Sequence, residues 1–138
     1  MTHFIKVWLS AIPLIALVDF IWFSLIAGKF YDTYMGTFVS RTNGSIDIKL
    51  FPALLVYIAL SFGIAFFVLP KVAGIESLAH VFLIGAIFGL VTYAVYDLTN
   101  YAFLTNWSLT LSLVDMAWGF VIGGLATLIV RYLDRFFA

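Results

Sequence analysis

Apolar side chains run almost without interruption through four stretches of the chain, residues 4–27, 51–69, 78–104 and 109–132. A bilayer-crossing helix needs about 20 mostly apolar residues at 1.5 Å rise each, and each stretch approaches or exceeds that length. Runs such as Ala53 to Leu60 do not alternate apolar with polar positions, so they do not read as membrane strands. In hydrocarbon every backbone N–H and C=O must be satisfied within the segment, which leaves helices. The pattern predicts an all-α polytopic membrane protein. Four transmembrane helices form an antiparallel bundle, a single domain over residues 1–138. Lys6 precedes the first run as it would in a signal peptide. That run is long for such a segment, carries Asp19 and has no clear small-residue cleavage site, so it reads as a retained span.

The connections differ in kind. Residues 28–50 form the one long loop, with Asn43-Gly44 as a turn signal. Within it, Lys29 to Ser40 is expected to make a short interfacial helix with Phe30, Tyr34 and Phe38 on one side. Pro70 to Ser77 is a short link broken by Pro70 and Gly74. Thr105 to Ser108 is tighter still and makes the last two helices an antiparallel hairpin.

Composition agrees with the pattern. The 138 residues are 64% hydrophobic and only 10% charged, against about 25% charged in soluble domains. With 7 basic and 7 acidic residues no net field draws nucleic acid, and no nucleic-acid partner is expected. The absence of cysteine excludes disulfides and thiolate metal sites. Lys6, Lys71, Arg131 and Arg135 lie on the side of the termini, and Lys29, Arg41 and Lys49 on the other. That margin favours cytoplasmic termini. It is also small enough to permit dual topology and antiparallel dimers.

Against this background three acids stand out. Asp19, Asp97 and Asp115 fall inside the spans, where a carboxylate costs at least about 2.5–3.5 kcal/mol and is by default a functional-site hypothesis. Counted along their helices, they lie about 22, 28 and 26 Å from the terminal face, in the same third of a core about 30 Å thick. Each has a companion three positions on, and so on the same helix face: Trp22, Asn100 and Trp118 respectively. An indole N–H only donates and a carboxylate only accepts, so the pairs match within or between helices. Tyr93 and Tyr96 add hydroxyls nearby. The expected pocket is therefore Asp19, Trp22, Tyr93, Tyr96, Asp97, Asn100, Asp115 and Trp118. Asp97 is expected to be the acid that reaches water, and Asp19 the one that does not. The competing structural reading makes both tryptophans interfacial belt residues and Asp97 a helix end.

Gly85 and Gly89, and Gly119 and Gly123, have the Gly-x-x-x-Gly spacing that lets helix backbones approach, and they predict close packing of the third and fourth helices. Leu17-Val18-Asp19-x-x-Trp22 repeats as Leu113-Val114-Asp115-x-x-Trp118, placing the same demand on two antiparallel helices. Pro13 is expected to kink the first helix before Asp19. His3 and His80 lie near the terminal face, so a bis-His haem is not expected, and no metal or other cofactor is implied. No Ser-His-Asp set, phosphate loop or zinc motif is present, and no catalytic residue is identified.

The two Leu-Val-Asp-x-x-Trp strings, with Tyr96-Asp97-Leu98-Thr99-Asn100 and Trp118-Gly119, resemble the uncharacterised bacterial membrane protein family catalogued as domain of unknown function 2177. The resemblance spans nearly the whole chain. It implies a small polytopic inner-membrane protein and supplies no reaction. Three functions then compete. The favoured one is a polar intramembrane pocket that binds or moves a proton or a small solute. The second is a scaffold or accessory subunit whose partners are the lipid bilayer, a second copy or another membrane protein. The third is an enzyme acting on a membrane-embedded lipid or quinone, with an aspartate as general base.

Overall fold

A computed structural model describes residues 1–42 and 45–138, so the Asn43-Gly44 turn signal lies outside the described residues. Four helical spans, Thr2–Met35, Leu50–Val72, Leu78–Phe103 and Leu109–Phe137, are long and apolar enough to cross a membrane.

The first span is three pieces in line. α1 (Thr2–Ile21) passes through a π-helical segment at Trp22–Ala27 into α2 (Gly28–Met35). Residues 28–35, read from sequence as the start of the long loop, therefore extend the helix. Pro13 sits inside α1, which stays helical past it, and the π segment follows at Trp22–Ala27. There the Ser24 hydroxyl donates to the Phe20 carbonyl at 2.5 Å. Gly28 is needed at the end of the segment, because a Cβ there would stand 2.5 Å from the Phe23 carbonyl oxygen. α2 stops at Gly36, whose φ of 35° lies in the left-handed region that glycine enters at little cost. Phe30 and Tyr34 do share a side, with ring centroids 4.5 Å apart. Phe38, beyond Gly36, packs on Trp107 at 5.6 Å. A two-residue ribbon, β1 (Arg41–Thr42) and β2 (Ser45–Ile46), follows. It is tied to α2 by an Arg41–Asp32 ion pair at 2.6 Å.

The second span is α3 (Leu50–Gly63), a π segment at Ile64–Val68 and α4 (Leu69–Val72). Pro70 lies at the start of α4, inside the continuous span and directly after the π segment, and not in the link that follows. α5 (Leu78–Phe103) and α6 (Leu109–Phe137) form the closing hairpin, their starts capped by the Ser77 and Ser108 hydroxyls.

The helices are ordered α3, α1, α6, α5. α3 packs on α1, α1 on α6, and α6 against α5 along most of its length. α5 meets the second span chiefly at residues 64–68, so the bundle is closed around the terminal half and is an open arc at the distal half. The closed half holds the apolar core: Val7, Ala11 and Ile15 of α1 pack with Ile64, Val68, Val72, Val81, Ile122, Ala126 and Val130. The α5–α6 seam is glycine on glycine. A Cβ at Gly123 would stand 2.7 Å from Gly89 Cα, and one at Gly85 would fall 2.6 Å from the Gly123 carbonyl oxygen.

Candidate functional site

The distal half gathers the polar residues. Val7, Ala11, Ile15 and Asp19 lie at every fourth position of α1 and are all buried. The same step continues through Phe23, Ala27, Tyr31 and Met35. In an unbroken α-helix Tyr31 would sit about 120° around from Asp19. The extra residue of the π segment takes back about 100° of that and keeps the row on one face. Tyr31 is thereby buried and donates its hydroxyl to Asp115.

Asp19 accepts two hydrogen bonds from other helices, from the Tyr57 hydroxyl of α3 at 2.7 Å and from Trp118 Nε1 of α6 at 2.8 Å. The sequence spacing pairs Asp19 with Trp22 on its own helix, but the bond is made across the bundle. Trp22 instead stacks flat on Trp118, with centroids 4.3 Å apart and planes 3° from parallel. Its indole N–H meets no carboxylate. The two Leu-Val-Asp-x-x-Trp strings thus meet at their tryptophans, yet they are satisfied unequally. Trp118 serves Asp19, whereas Tyr31 serves Asp115.

Asp97 departs from expectation. It is 0% exposed, against 7% for Asp19 and 9% for Asp115, so the acid expected to reach water is the most enclosed. The reason is the hairpin: α6 covers α5 at this level, and Trp107 in the link folds inward to donate to Ser112 Oγ at 3.0 Å. Among the described residues no neutral or basic donor reaches either Asp97 carboxylate oxygen, and the group facing it is the Asp115 carboxyl. Asn100 does not pair with Asp97 and neighbours Tyr96 instead.

A cavity of about 530 Å³ lies beside these groups. Asp19 and Asp115 line it, with Tyr31, Tyr57, Tyr93, Tyr96 and Thr92 as the other polar side chains. The rest of the wall is apolar, from Phe23 and Met35 of the first span, Ala53, Val56, Ala59 and Leu60 of α3, and Phe88 of α5; among the described residues no Lys, Arg or His contributes. Of the eight residues expected at the pocket, Asp19, Tyr93, Tyr96 and Asp115 line this cavity. Trp118 stands behind Asp19, Trp22 behind Trp118 and Asp97 behind Asp115, and Asn100 lies outside it. Tyr31 and Tyr57, which donate to the two lining acids, were not among the expected pocket residues. Four-residue spacing from Asp19 reaches Tyr31 only because of the π segment, so no signal in the sequence marked it. Nothing in the sequence pairs Tyr57 with Asp19. No three His, Cys, Asp or Glu side chains among the described residues are grouped to hold a metal ion.

No curated protein and no solved structure matches the chain. A family model described as "Predicted membrane protein (DUF2177)" matches residues 4–132, nearly the whole length, and its description accords with the four apolar helices. The chain is an integral membrane protein and belongs to the DUF2177 family.

Proposed function

We propose that the protein binds a small cation or a proton at an intramembrane carboxylate pocket and moves it across part of the membrane. The observation that carries this reading is the charge balance. Asp19 of α1 and Asp115 of α6 line one cavity with Asp97 of α5 behind Asp115, the donors to Asp19 and Asp115 are the neutral groups of tyrosine and tryptophan, and among the described residues no basic side chain lines the space. Two carboxyl groups in contact, such as Asp97 and Asp115, cannot both stay ionised away from water unless a proton or a cation compensates them. The setting we propose is the bacterial inner membrane with both termini cytoplasmic, from the excess of Lys6, Lys71, Arg131 and Arg135 over Lys29, Arg41 and Lys49.

The test is uptake of radiolabelled methylammonium into proteoliposomes under an imposed pH gradient. Asp19→Asn and Asp115→Asn keep side-chain shape and remove charge. Each is expected to lower uptake about tenfold or more, since a charge-assisted contact contributes about 1.5–3 kcal/mol. Uptake no greater than in empty vesicles, or unchanged in both variants while each still elutes as folded protein, removes the reading.

A further inference from the structure

Resting on that pocket reading, we propose that the ligand is a membrane-dissolved amphiphile with a cationic head, a long-chain amine, which enters sideways from the lipid between α3 and α5.

The first support is the shape of the bundle. Because α3 packs on α1 and α5 on α6, the distal halves of α3 and α5 stand apart, and the cavity lies between them. Its rim is on the surface: Val56 of α3 is 59% exposed and Tyr96 of α5 is 53% exposed. Both residues lie within membrane spans, so the opening faces acyl chains.

The second support is the packing of side chains near both ends of the cavity. Toward the distal loops stands a separate apolar cluster of Ala27, Tyr31, Trp107 and Leu111, with Phe30 and Met35 against it. Toward the termini, Phe88 packs so closely on Gly63 that a Cβ there would stand 2.9 Å from its ring. Side chains of the first span and the α5–α6 link, and Phe88 on Gly63, crowd the axial approaches, whereas the α3 and α5 walls part toward the lipid.

The third support is the gradient of chemistry along that path. The α3 wall is mostly small or aliphatic at Ala53, Val56, Ala59 and Leu60, and the carboxylates of Asp19 and Asp115 line the cavity on α1 and α6. An extended apolar tail fits the outer part and a positive head fits the inner part. Tail length by itself gives no selectivity, since lipid chains are as apolar as the wall. Discrimination must come from the head, and an amine should be taken where an alcohol is not.

The experiment uses the full-length protein in phosphatidylcholine nanodiscs and two probes. One is a long-chain alkylamine carrying a diazirine near the amine, and the other is the alcohol of the same chain. After irradiation, peptide mapping reads where each probe attaches. The amine is expected to label the segments around Val56 and Tyr96 about tenfold more than the alcohol, and Asp115→Asn to bring it down to the alcohol's level. Val56→Trp, at a lipid-facing rim position, is expected to halve the amine labelling or better while leaving the unfolding temperature in place. Equal labelling by amine and alcohol overturns the inference, as does labelling indifferent to Val56→Trp. If methylammonium uptake still depends on Asp19 and Asp115 in that event, the pocket reading stands and only the amphiphile and its route are lost. If uptake has lost that dependence too, both fall.

Discussion

The terminal half and the distal half of this bundle solve the membrane problem in opposite ways. The terminal half is closed and largely aliphatic, with glycine seams and side chains interlocked around Ile64 and Ile122, and it buries Thr127 and Arg131 of α6. The distal half is open between α3 and α5 and holds three acids, a flat tryptophan pair and a π segment. Between helices in lipid there is little hydrophobic drive, so close van der Waals contact does the holding. Concentrating that contact at one end leaves the other free to keep a cavity and the cost of its carboxylates. The same chain thereby carries a clamp and a candidate site.

The largest expected effect breaks the clamp. Gly123→Leu places a branched side chain where a single Cβ already falls 2.7 Å from Gly89 Cα. We expect a loss of about 3 kcal/mol or more in detergent unfolding, or no folded protein at all. A loss under about 1 kcal/mol would mean that the seam is not what holds the halves together. A deletion within the π segment, Ser24 removed, acts on the site instead. It restores a regular helix and turns Tyr31 about 100° away from Asp115. The expected cost is about 1–3 kcal/mol, the range for stranding a buried acceptor. Tyr31→Phe should cost a similar amount in the parent chain and nothing further in the deletion, so a double-mutant cycle reads whether the π segment aims this hydroxyl. The smallest effect is at the distal surface. Asp32→Ala removes the exposed ion pair with Arg41 and should change stability by no more than about 1 kcal/mol. A larger change would place the ribbon among the elements that hold the open half.

Much of this was legible in the residues. Apolar runs of membrane length fixed the number of helices, and counting rise along each placed Asp19, Asp97 and Asp115 in one layer. The glycine spacing pointed to the α5–α6 seam. What the residues did not disclose was partnership. Spacing of three put Trp22 beside Asp19, but a side chain three positions on competes with every side chain on the neighbouring helix. Here Trp118 and Tyr57 reach Asp19 first. Asp97, counted farthest of the three from the terminal face, was expected to meet water. The inward fold of Trp107 and the cover of α6 reversed that.

The sequence by itself determined that this chain crosses a membrane as helices, because hydrocarbon admits only helices or closed barrels and its apolar runs lack the alternation of barrel strands. It also determined the level of the acids, because helical rise is fixed. Tertiary structure alone decided which donor serves which acid, that a π segment swings Tyr31 onto Asp115, and that α3 and α5 part to leave a cavity. Those outcomes rest on the rotation of each helix about its own axis and on which helices are neighbours. In a chain apolar on nearly every face, no amphipathic stripe marks either one.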